Sequence, residues 1–267
     1  MFRPAIVFLL LAALSAAETP AAARGKKVID DAIEALGGQK FLTMQDRIEK
    51  GRAYSFFHEQ VSGLSVAKIY TRYTYVAPDR TGIDLGLQER EAFGKNEDYY
   101  VLFRQEGAWE VTFRGTKEQD KDLVQRYRET TLNNVLYILR QRLHEPGIIF
   151  ESPGSDVIEN QPVNVVDITD SQNRVVRVYF HQTTKLPVQQ SWVRRDPQTK
   201  ERDDEVTRFS RYRMTDGIQW PQQIRRERNG EKIYEIFSES VMVNQELTDN
   251  LFAIPGPDAK PDPPRKK

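Results

Sequence analysis

Near its start, the chain carries apolar residues at the spacing of one helix face. They recur at intervals of three and four residues: Val28, Ile29, Ala32, Ile33 and Leu36. Gly37-Gly38 follows directly, and glycine is a typical helix stop because it adopts positive φ without a Cβ penalty. The pattern predicts an amphipathic helix over residues 26–36. A helix this short is not stable alone, so it must pack on another element.

From Arg47 onward the period of the pattern changes to two. Ile83, Leu85 and Leu87, for example, alternate with polar or small neighbours, as in a half-buried strand. The predicted strands are 47–60, 64–76, 81–93, 99–104, 108–114, 147–152, 156–160, 162–169, 174–181, 187–195, 203–213, 218–228 and 231–243. Asp216-Gly217 and Asn229-Gly230 are the strongest hairpin signals, and Ser62-Gly63 and Glu106-Gly107 are further turns.

One long stretch between these strands has the helical period again. Residues 119–144 contain neither glycine nor proline, and Pro146-Gly147 ends the stretch. Its apolar positions are Leu132, Val135, Leu136, Leu139 and Leu143. The pattern predicts one continuous helix inserted between two groups of strands.

Together these elements predict a mainly β (α+β) fold, with one domain over residues 26–254. Consecutive hairpins give a large curled antiparallel sheet of about 11 strands, or up to 13 if every predicted range forms one. A sheet of this size must curl or close, and an open or incomplete β-barrel is one such form. The N-terminal helix and the long inserted helix cover its apolar face. The enclosed space is either a packed core or a cavity. Large residues that could fill or line it are Tyr70, Tyr73, Tyr75, Tyr99, Tyr100, Trp109, Phe113, Trp192, Trp220 and Phe237.

The first residues have the pattern of a secretory signal. Arg3 precedes an uninterrupted apolar run over residues 5–14, and small residues follow. The run is about half the length that a membrane-spanning helix needs. We predict a signal peptide over residues 1–17, cleaved after Ala17. Cleavage after Ala23 and an uncleaved membrane anchor are the alternatives.

The segments that flank the domain lack a core-forming pattern. Residues 18–25 are predicted to be a flexible leader. The proline-rich residues 255–267 are predicted to be a disordered tail. No segment after the signal is apolar enough to span a membrane, so we predict a periplasmic protein exported by its signal, without a stable membrane span.

Composition removes several classes of function. The chain of 267 residues has no cysteine, which excludes disulfides, thiolate metal sites, a thiol nucleophile and lipid attachment through cysteine. Its 39 basic and 39 acidic residues give a formal net charge of zero, which disfavours nucleic-acid binding. The 13 Phe, 11 Tyr and 3 Trp are enough to build a core.

The sequence contains little that indicates catalysis. Its three histidines, His58, His144 and His181, are isolated, and nucleophile, phosphate-loop and metal motifs are missing. Asp203-Asp204-Glu205 is either a cation ligand set or a solvated turn. The arginines of residues 208–228 form either a patch for acidic ligands or membrane headgroups or a solvated sheet face, and the intermixed acidic residues favour the solvated face. We predict a protein that is not an enzyme and uses no cofactor or metal.

Several short motifs resemble the LolA/LolB-like superfamily of periplasmic lipoprotein carriers, including outer-membrane lipoprotein-sorting proteins. They are Ala35-Leu36-Gly37-Gly38, Thr184-Lys185-Leu186-Pro187, Phe209-Ser210-Arg211-Tyr212, Asp216-Gly217-Ile218-Gln219-Trp220-Pro221 and Leu251-Phe252-Ala253-Ile254-Pro255. The resemblance covers the order of elements over most of residues 26–255. It implies an unclosed β-barrel with helices as a lid and a hydrophobic cavity for acyl chains.

Two functions from different classes follow. The first is a monomeric periplasmic carrier that holds a lipid or the acyl chains of a lipoprotein. The second is a structural or regulatory envelope protein with a filled core that acts through a protein partner; a hydrolase is a third alternative. For the first, the predicted cavity-lining residues, chosen by size and alternation, are Leu85, Trp109, Phe113, Leu136, Leu139, Trp192 and Phe237.

Overall fold

The chain folds around one large antiparallel sheet in a computed structural model, which describes residues 19–76, 84–196 and 199–256. The predicted signal peptide with its cleavage site at Ala17 lies outside the described residues, as do residues 257–267 of the predicted tail. Among the described residues, no helix is both long and apolar enough to cross a membrane.

Thirteen strands and four helices make up the described fold. The strands are β1 (Asp46–Phe57), β2 (Gln60–Tyr73), β3 (Leu87–Phe93), β4 (Tyr99–Phe103), β5 (Ala108–Thr112), β6 (Gly115–Glu118), β7 (Ile149–Ile158), β8 (Gln161–Thr169), β9 (Val175–His181), β10 (Pro187–Arg195), β11 (Arg202–Thr215), β12 (Ile218–Arg228) and β13 (Glu231–Val243). The helices are α1 (Pro20–Leu36), α2 (Gln39–Leu42), α3 (Lys121–Leu132) and α4 (Val135–Tyr137), which continues as a π-helical turn over Ile138–Arg142.

All thirteen strands belong to one sheet, and the strands at its two edges follow each other in the sequence. The spatial order is β6-β5-β4-β3-β2-β1-β13-β12-β11-β10-β9-β8-β7. The first strand therefore pairs with the last, and the two edge strands, β6 and β7, are joined by the segment that holds α3 and α4. This is the mainly β, unclosed antiparallel sheet that the sequence predicts, and its thirteen strands are close to the predicted count of about 11.

A bulge at the centre of the sheet accounts for part of its curvature. The register between β1 and β13 shifts between Lys50 and Gly51, and such bulges bend a strand and increase its twist. A Cβ atom at Gly51 would lie 1.9 Å from the carbonyl oxygen of Phe237. Only glycine allows the two backbones to approach this closely, so the bulge is fixed by the sequence.

The main core lies on the concave face, between α1, α4 and strands of the second half of the sheet. It contains Ile29, Leu36, Phe41, Leu139, Phe180 and Trp220, among others. Helix α1 begins at Pro20, whereas the sequence predicted a flexible leader up to residue 25. Thr19 caps the helix through its side chain, and proline fits the first turn. Gly25 lets the helix contact β7 closely, since a Cβ there would lie 2.4 Å from the oxygen of Phe150.

The inserted helix is broken, contrary to the prediction of one continuous helix over residues 119–144. Helix α3 ends at Leu132, and Asn134 begins α4 by accepting hydrogen bonds from the amides of Leu136 (2.9 Å) and Tyr137 (3.4 Å). Gln190 of β10 bonds to the free backbone groups of the break, donating to the Asn133 oxygen and accepting from the Val135 amide. The break turns α4 into the core and leaves α3 over the first half of the sheet.

The cap at this break gives a first test. Replacing Asn134 by alanine removes the acceptor for two amides, so we expect the free energy of unfolding to fall by about 1 kcal/mol. Asn134→Asp keeps a side-chain acceptor and should stay close to wild type. Urea denaturation of the three proteins measures the difference, and equal losses in both variants would contradict the capping role.

Several strand predictions also differ from the structure; the strand predicted over 81–93, for example, begins at Leu87 as β3. The first hairpin turns at His58-Glu59, where both residues have positive φ, while Ser62-Gly63 lies within β2. The two strands predicted over 147–152 and 156–160 form one strand, β7, with an irregular register between Glu151 and Gly154. Strand β6 was not predicted. At the C-terminal end, β10, β12 and β13 have the predicted bounds.

The residues after β13 cover part of the convex face. Leu247, Leu251 and Phe252 pack on a second core cluster that includes Tyr70 and Leu102. Asp46 fixes this segment by accepting hydrogen bonds from the amides of residues 245 (2.6 Å) and 247 (3.1 Å). The first half of the sheet thus has apolar contacts on both faces, and α3 faces its concave side.

Candidate functional site

A cavity of about 550 Å³ lies between α3 and the concave face of the first half of the sheet. Alternate residues of each strand line it, because every second side chain of a strand points to the same face. From β2, β3 and β4 these are Ile69, Thr71, Tyr73, Leu87, Glu89, Glu91, Phe93, Tyr99, Val101 and Phe103; from β1, β12 and β13 they are Arg47, Glu49, Trp220, Ile224, Arg226, Arg228, Ile233, Tyr234 and Ile236.

The opposite wall of the cavity comes from α3 and the start of α4. Its residues include Leu123, Arg126, Tyr127, Thr130 and Leu136. Tyr127 stacks on Phe103 of β4, with ring centroids 3.7 Å apart and planes within 10°. Thr130 accepts a hydrogen bond from Arg226 of β12 at 3.1 Å. These two contacts hold α3 against the sheet at both sides of the cavity.

One end of the cavity is closed by a compact network of buried polar side chains. Arg47 lies 2.7 Å from Glu49 and stacks over the ring of Trp220 at 4.1 Å. Glu49 accepts hydrogen bonds from the Trp220 ring nitrogen and from the hydroxyl of Ser238, both at 2.9 Å. Arg47 also donates to Tyr73 at 3.1 Å. The two charges cancel, so this end of the cavity is electrically neutral.

Two further glutamates line the same cavity from β3. Glu89 accepts hydrogen bonds from the hydroxyls of Thr71 (2.7 Å) and Tyr127 (3.0 Å). Burial, and next the neighbouring Glu89, raise the pKa of Glu91 to about 8. The wall of this cavity is therefore amphipathic: aliphatic and aromatic side chains surround a small acidic region.

A second, larger groove has a different lining. It has a volume of about 830 Å³ and lies against β8–β11, where its lining includes Trp192. Most of its lining residues are charged, and several are paired, such as Arg177 with Asp167 at 2.7 Å and Arg194 with Asp203. Because it lacks a continuous apolar wall, this groove is a poor site for an acyl chain. Among the described residues, no group of three or more His, Cys, Asp or Glu is placed to hold a metal ion.

The residues predicted to line a cavity are dispersed in the structure. Leu136 lines the cavity under α3. Leu85 belongs to a small buried cluster with Leu87 and Leu132, and Leu139 lies in the main core.

The four predicted aromatic residues lie elsewhere. Trp109 is half-buried on β5, Phe113 is 72% exposed beyond the end of β5, and Trp192 lines the second groove. Phe237 packs edge-on against Tyr54, with ring centroids 5.9 Å apart. The choice by size missed the polar lining, although the alternation Leu87-x-Glu89-x-Glu91-x-Phe93 already places both glutamates on one strand face with two apolar residues.

The architecture has counterparts among solved structures. A DUF1329 family protein from Desulfovibrio piger superposes with a TM-score of 0.56 at 14% identity, covering 86% of this chain and 97% of that one. A putative outer membrane lipoprotein-sorting protein domain from Vibrio parahaemolyticus gives 0.55 at 11% identity, and a LolA superfamily protein from Nitrosomonas europaea gives 0.52 at 11%, both with the same coverage. The fold is LolA-like. No family model and no curated protein matches the sequence, so the likeness is one of fold. In this LolA-like fold the cavity lies between the inserted helix and the unclosed sheet.

Proposed function

We propose that this protein is a non-catalytic periplasmic carrier that binds a lipid, or the acyl chains of a lipoprotein, in the cavity under α3. The observation that carries the proposal is the cavity itself. Its volume of about 550 Å³ lies within the range of small-molecule sites, roughly 300–1,000 Å³. The predicted signal peptide supports export, and a chain without cysteine suits an oxidising compartment.

The apolar part of the wall is suited to an alkyl chain. Ile69, Val101, Leu123, Ile224 and Ile236 come from five different elements and surround the same space. Each buried methylene contributes about 0.8 kcal/mol, so burial of four to six methylenes stabilises a complex by roughly 3–5 kcal/mol before the costs of association. Binding alone is sufficient for a carrier, and no reactive group is needed.

Leu123 gives the sharpest test because it lines the cavity and is 41% exposed, so a polar residue there should not unfold the protein. Leu123→Asp places a charge beside the bound chain, and we expect affinity for acyl ligands to fall at least about tenfold. Leu64→Asp is the matched control, since Leu64 is 60% exposed on β2 and does not line the cavity.

Native mass spectrometry of the protein purified from a bacterial periplasm measures bound lipid directly. We expect lipid adducts on the wild type and on Leu64→Asp and a strong reduction on Leu123→Asp. A wild-type protein that carries no lipid and binds no added acyl ligand would exclude the carrier function.

A protein partner is the second candidate function, and one exposed surface favours it. Phe57, Val61 and Leu64 near the β1–β2 turn are 70%, 58% and 60% exposed. Isolated apolar side chains are common on surfaces, but three on one hairpin indicate a contact. If the protein acts through this hairpin, Leu64→Asp would remove binding of the partner and Leu123→Asp would not. A carrier gives the opposite result, because there Leu123→Asp is the variant that loses its ligand.

A further inference from the structure

Two carboxyl groups lie side by side in the wall of the cavity. Glu89 and Glu91 are two residues apart on β3, so their side chains are on the same face, and both line the cavity. A carrier of plain acyl chains has no need of acidic groups there, because a buried charge is costly unless a partner compensates it.

The Glu89 carboxylate accepts hydrogen bonds from neutral groups, and no cation pairs with it alone. Its two hydrogen-bond donors are the neutral hydroxyls of Thr71 and Tyr127. The guanidinium of Arg47 lies 4.0 Å away, yet it is engaged by Glu49 at 2.7 Å. Glu89 thus shares its nearest cation with Glu49, and burial raises the pKa of Glu89 although Arg47 acts in the opposite direction.

Glu91 is the second carboxyl group of this pair. It lies two residues from Glu89 on the same face of β3 and lines the same cavity, so the two groups repel each other when both are charged. Burial first, and the charge of Glu89 next, raise the pKa of Glu91 to about 8, while Arg226 acts in the opposite direction. At neutral pH Glu91 therefore holds a proton that a cationic ligand can displace.

The other cationic groups around the cavity compensate this pair only in part. Arg226 and Arg228 of β12 approach Glu205, at 3.9 Å and 2.7 Å. Arg126 of α3 is exposed. The remaining titratable lining groups are tyrosines with raised pKa values, for which burial is the first cause in each case: Tyr73, Tyr99, Tyr127, Tyr137 and Tyr234.

Aromatic rings also line the cavity around the pair. Tyr127 stacks on Phe103, and Phe93 stacks on Tyr99 with ring centroids 5.4 Å apart. Tyr234 lines the cavity from β13. Aromatic faces attract ammonium groups through the ring quadrupole, and carboxylates attract them through charge. Rings and carboxyl groups in one cavity favour a cationic ligand over a neutral or anionic one.

We propose that the cavity selects amphiphiles whose polar end is an ammonium group, which binds between Glu89 and Glu91. Where Glu91 is protonated, the ammonium group takes the place of that proton, which passes to solvent, and no covalent bond to carbon forms or breaks. This inference rests on the proposed carrier function and narrows its ligand to amine-bearing lipids.

Isothermal titration calorimetry with three chain-matched probes below their micelle concentrations tests the inference. The probes are dodecylammonium, dodecanol and dodecanoate. We expect dodecylammonium to bind about tenfold or more tightly than dodecanol. Below a pH of about 8, its affinity should rise with pH, approaching tenfold per unit if one proton leaves. Titration in two buffers of different ionisation enthalpy should show that proton release directly.

Glu91→Gln separates a binding role from a structural one. The amide keeps the size of the side chain and its hydrogen-bonding capacity but cannot ionise. We expect the proton release and the pH dependence of dodecylammonium binding to disappear, and the preference over dodecanol to become smaller because only Glu89 can still carry a charge, with dodecanol affinity unchanged. Glu239→Gln is the control, because Glu239 is 57% exposed, pairs with Arg52 and does not line the cavity.

The outcomes distinguish this inference from the function it rests on. If dodecanol binds as tightly as dodecylammonium, or dodecanoate binds most tightly, the ammonium inference is wrong and the carrier function stands. If Glu91→Gln retains the proton release and the pH dependence, the carboxyl pair is not the site. If none of the probes binds, the proposed function itself fails.

Discussion

Replacing Arg142 by methionine is expected to lower the free energy of unfolding by about 3–5 kcal/mol. Arg142 ends the π-helical turn after α4, and its side chain is 6% exposed. It lies 2.6 Å from Glu145 and 3.1 Å from Asp170, whose side chains are each 5% exposed. Methionine fills much of the volume but leaves two buried carboxylates without this cation.

The position of Arg142 explains why the loss should affect the whole domain. Its guanidinium also donates to the backbone oxygen of Leu132 at 2.6 Å, the last residue of α3. One side chain thus connects the end of α3, the turn after α4 and the connection between β8 and β9, where Asp170 lies. Without it, the break between the helices loses a contact that fixes α3 above the cavity.

Arg177→Met is the matched control for this prediction. Arg177 also pairs with an aspartate, Asp167, at 2.7 Å, but its side chain is 49% exposed. Exposed pairs contribute about 0–1 kcal/mol, so this variant should unfold close to wild type in urea. Similar losses in both variants would show that Arg142 does not hold the insertion together.

The same network predicts how stability depends on pH. Burial alone would raise the pKa of Asp170, but hydrogen bonds from Arg174 and Arg142 outweigh it and hold the pKa below its ordinary value. A carboxyl group with a lowered folded-state pKa contributes stability above its unfolded pKa of about 3.9. That contribution is lost as the pH falls through the lower folded value. Arg142→Met should therefore reduce this acid-dependent part of the unfolding free energy.

The C-terminal half of the sheet could be predicted well because its signals are local. Asp216-Gly217 and Asn229-Gly230 set the two hairpin turns, and the strands on either side follow by alternation. By contrast, the first hairpin turns at His58-Glu59, where neither residue is a typical turn former. Pairing between β1 and β2 overrides the turn propensity of these residues, and the position of such a turn cannot be predicted from the local sequence.

The inserted helix shows a second limit of prediction. Residues 119–144 contain no helix breaker, yet the helix ends at Leu132 because Gln190, distant in sequence, bonds to the backbone on both sides of the break. The break decides which residues face the cavity. Large apolar residues such as Trp192 were reasonable candidates by size, but only the position of α3 selects Tyr127 and Leu123 instead.

The cavity also contains residues that sequence reasoning treats as surface residues. Glu89 and Glu91 have the same strand parity as Leu87 and Phe93, so the alternation indicates a buried face. Charged residues are rarely buried, so a strand face that carries two glutamates is normally assigned to solvent. Such conflicts between burial and charge are expected at functional or strained sites.

The most direct test of the account is to locate a bound chain by tryptophan quenching. Trp220 lines the cavity, whereas Trp192 lines the second groove and Trp109 lies on β5 outside both. Three proteins that each keep one tryptophan, with the other two replaced by phenylalanine, are titrated with bromine-labelled dodecanol, whose binding does not depend on the carboxyl pair. Bromine quenches only in close contact. We predict that the Trp220 protein loses most of its emission and the other two change little. Quenching of Trp192 in place of Trp220, or of none of the three, would contradict a carrier cavity under α3.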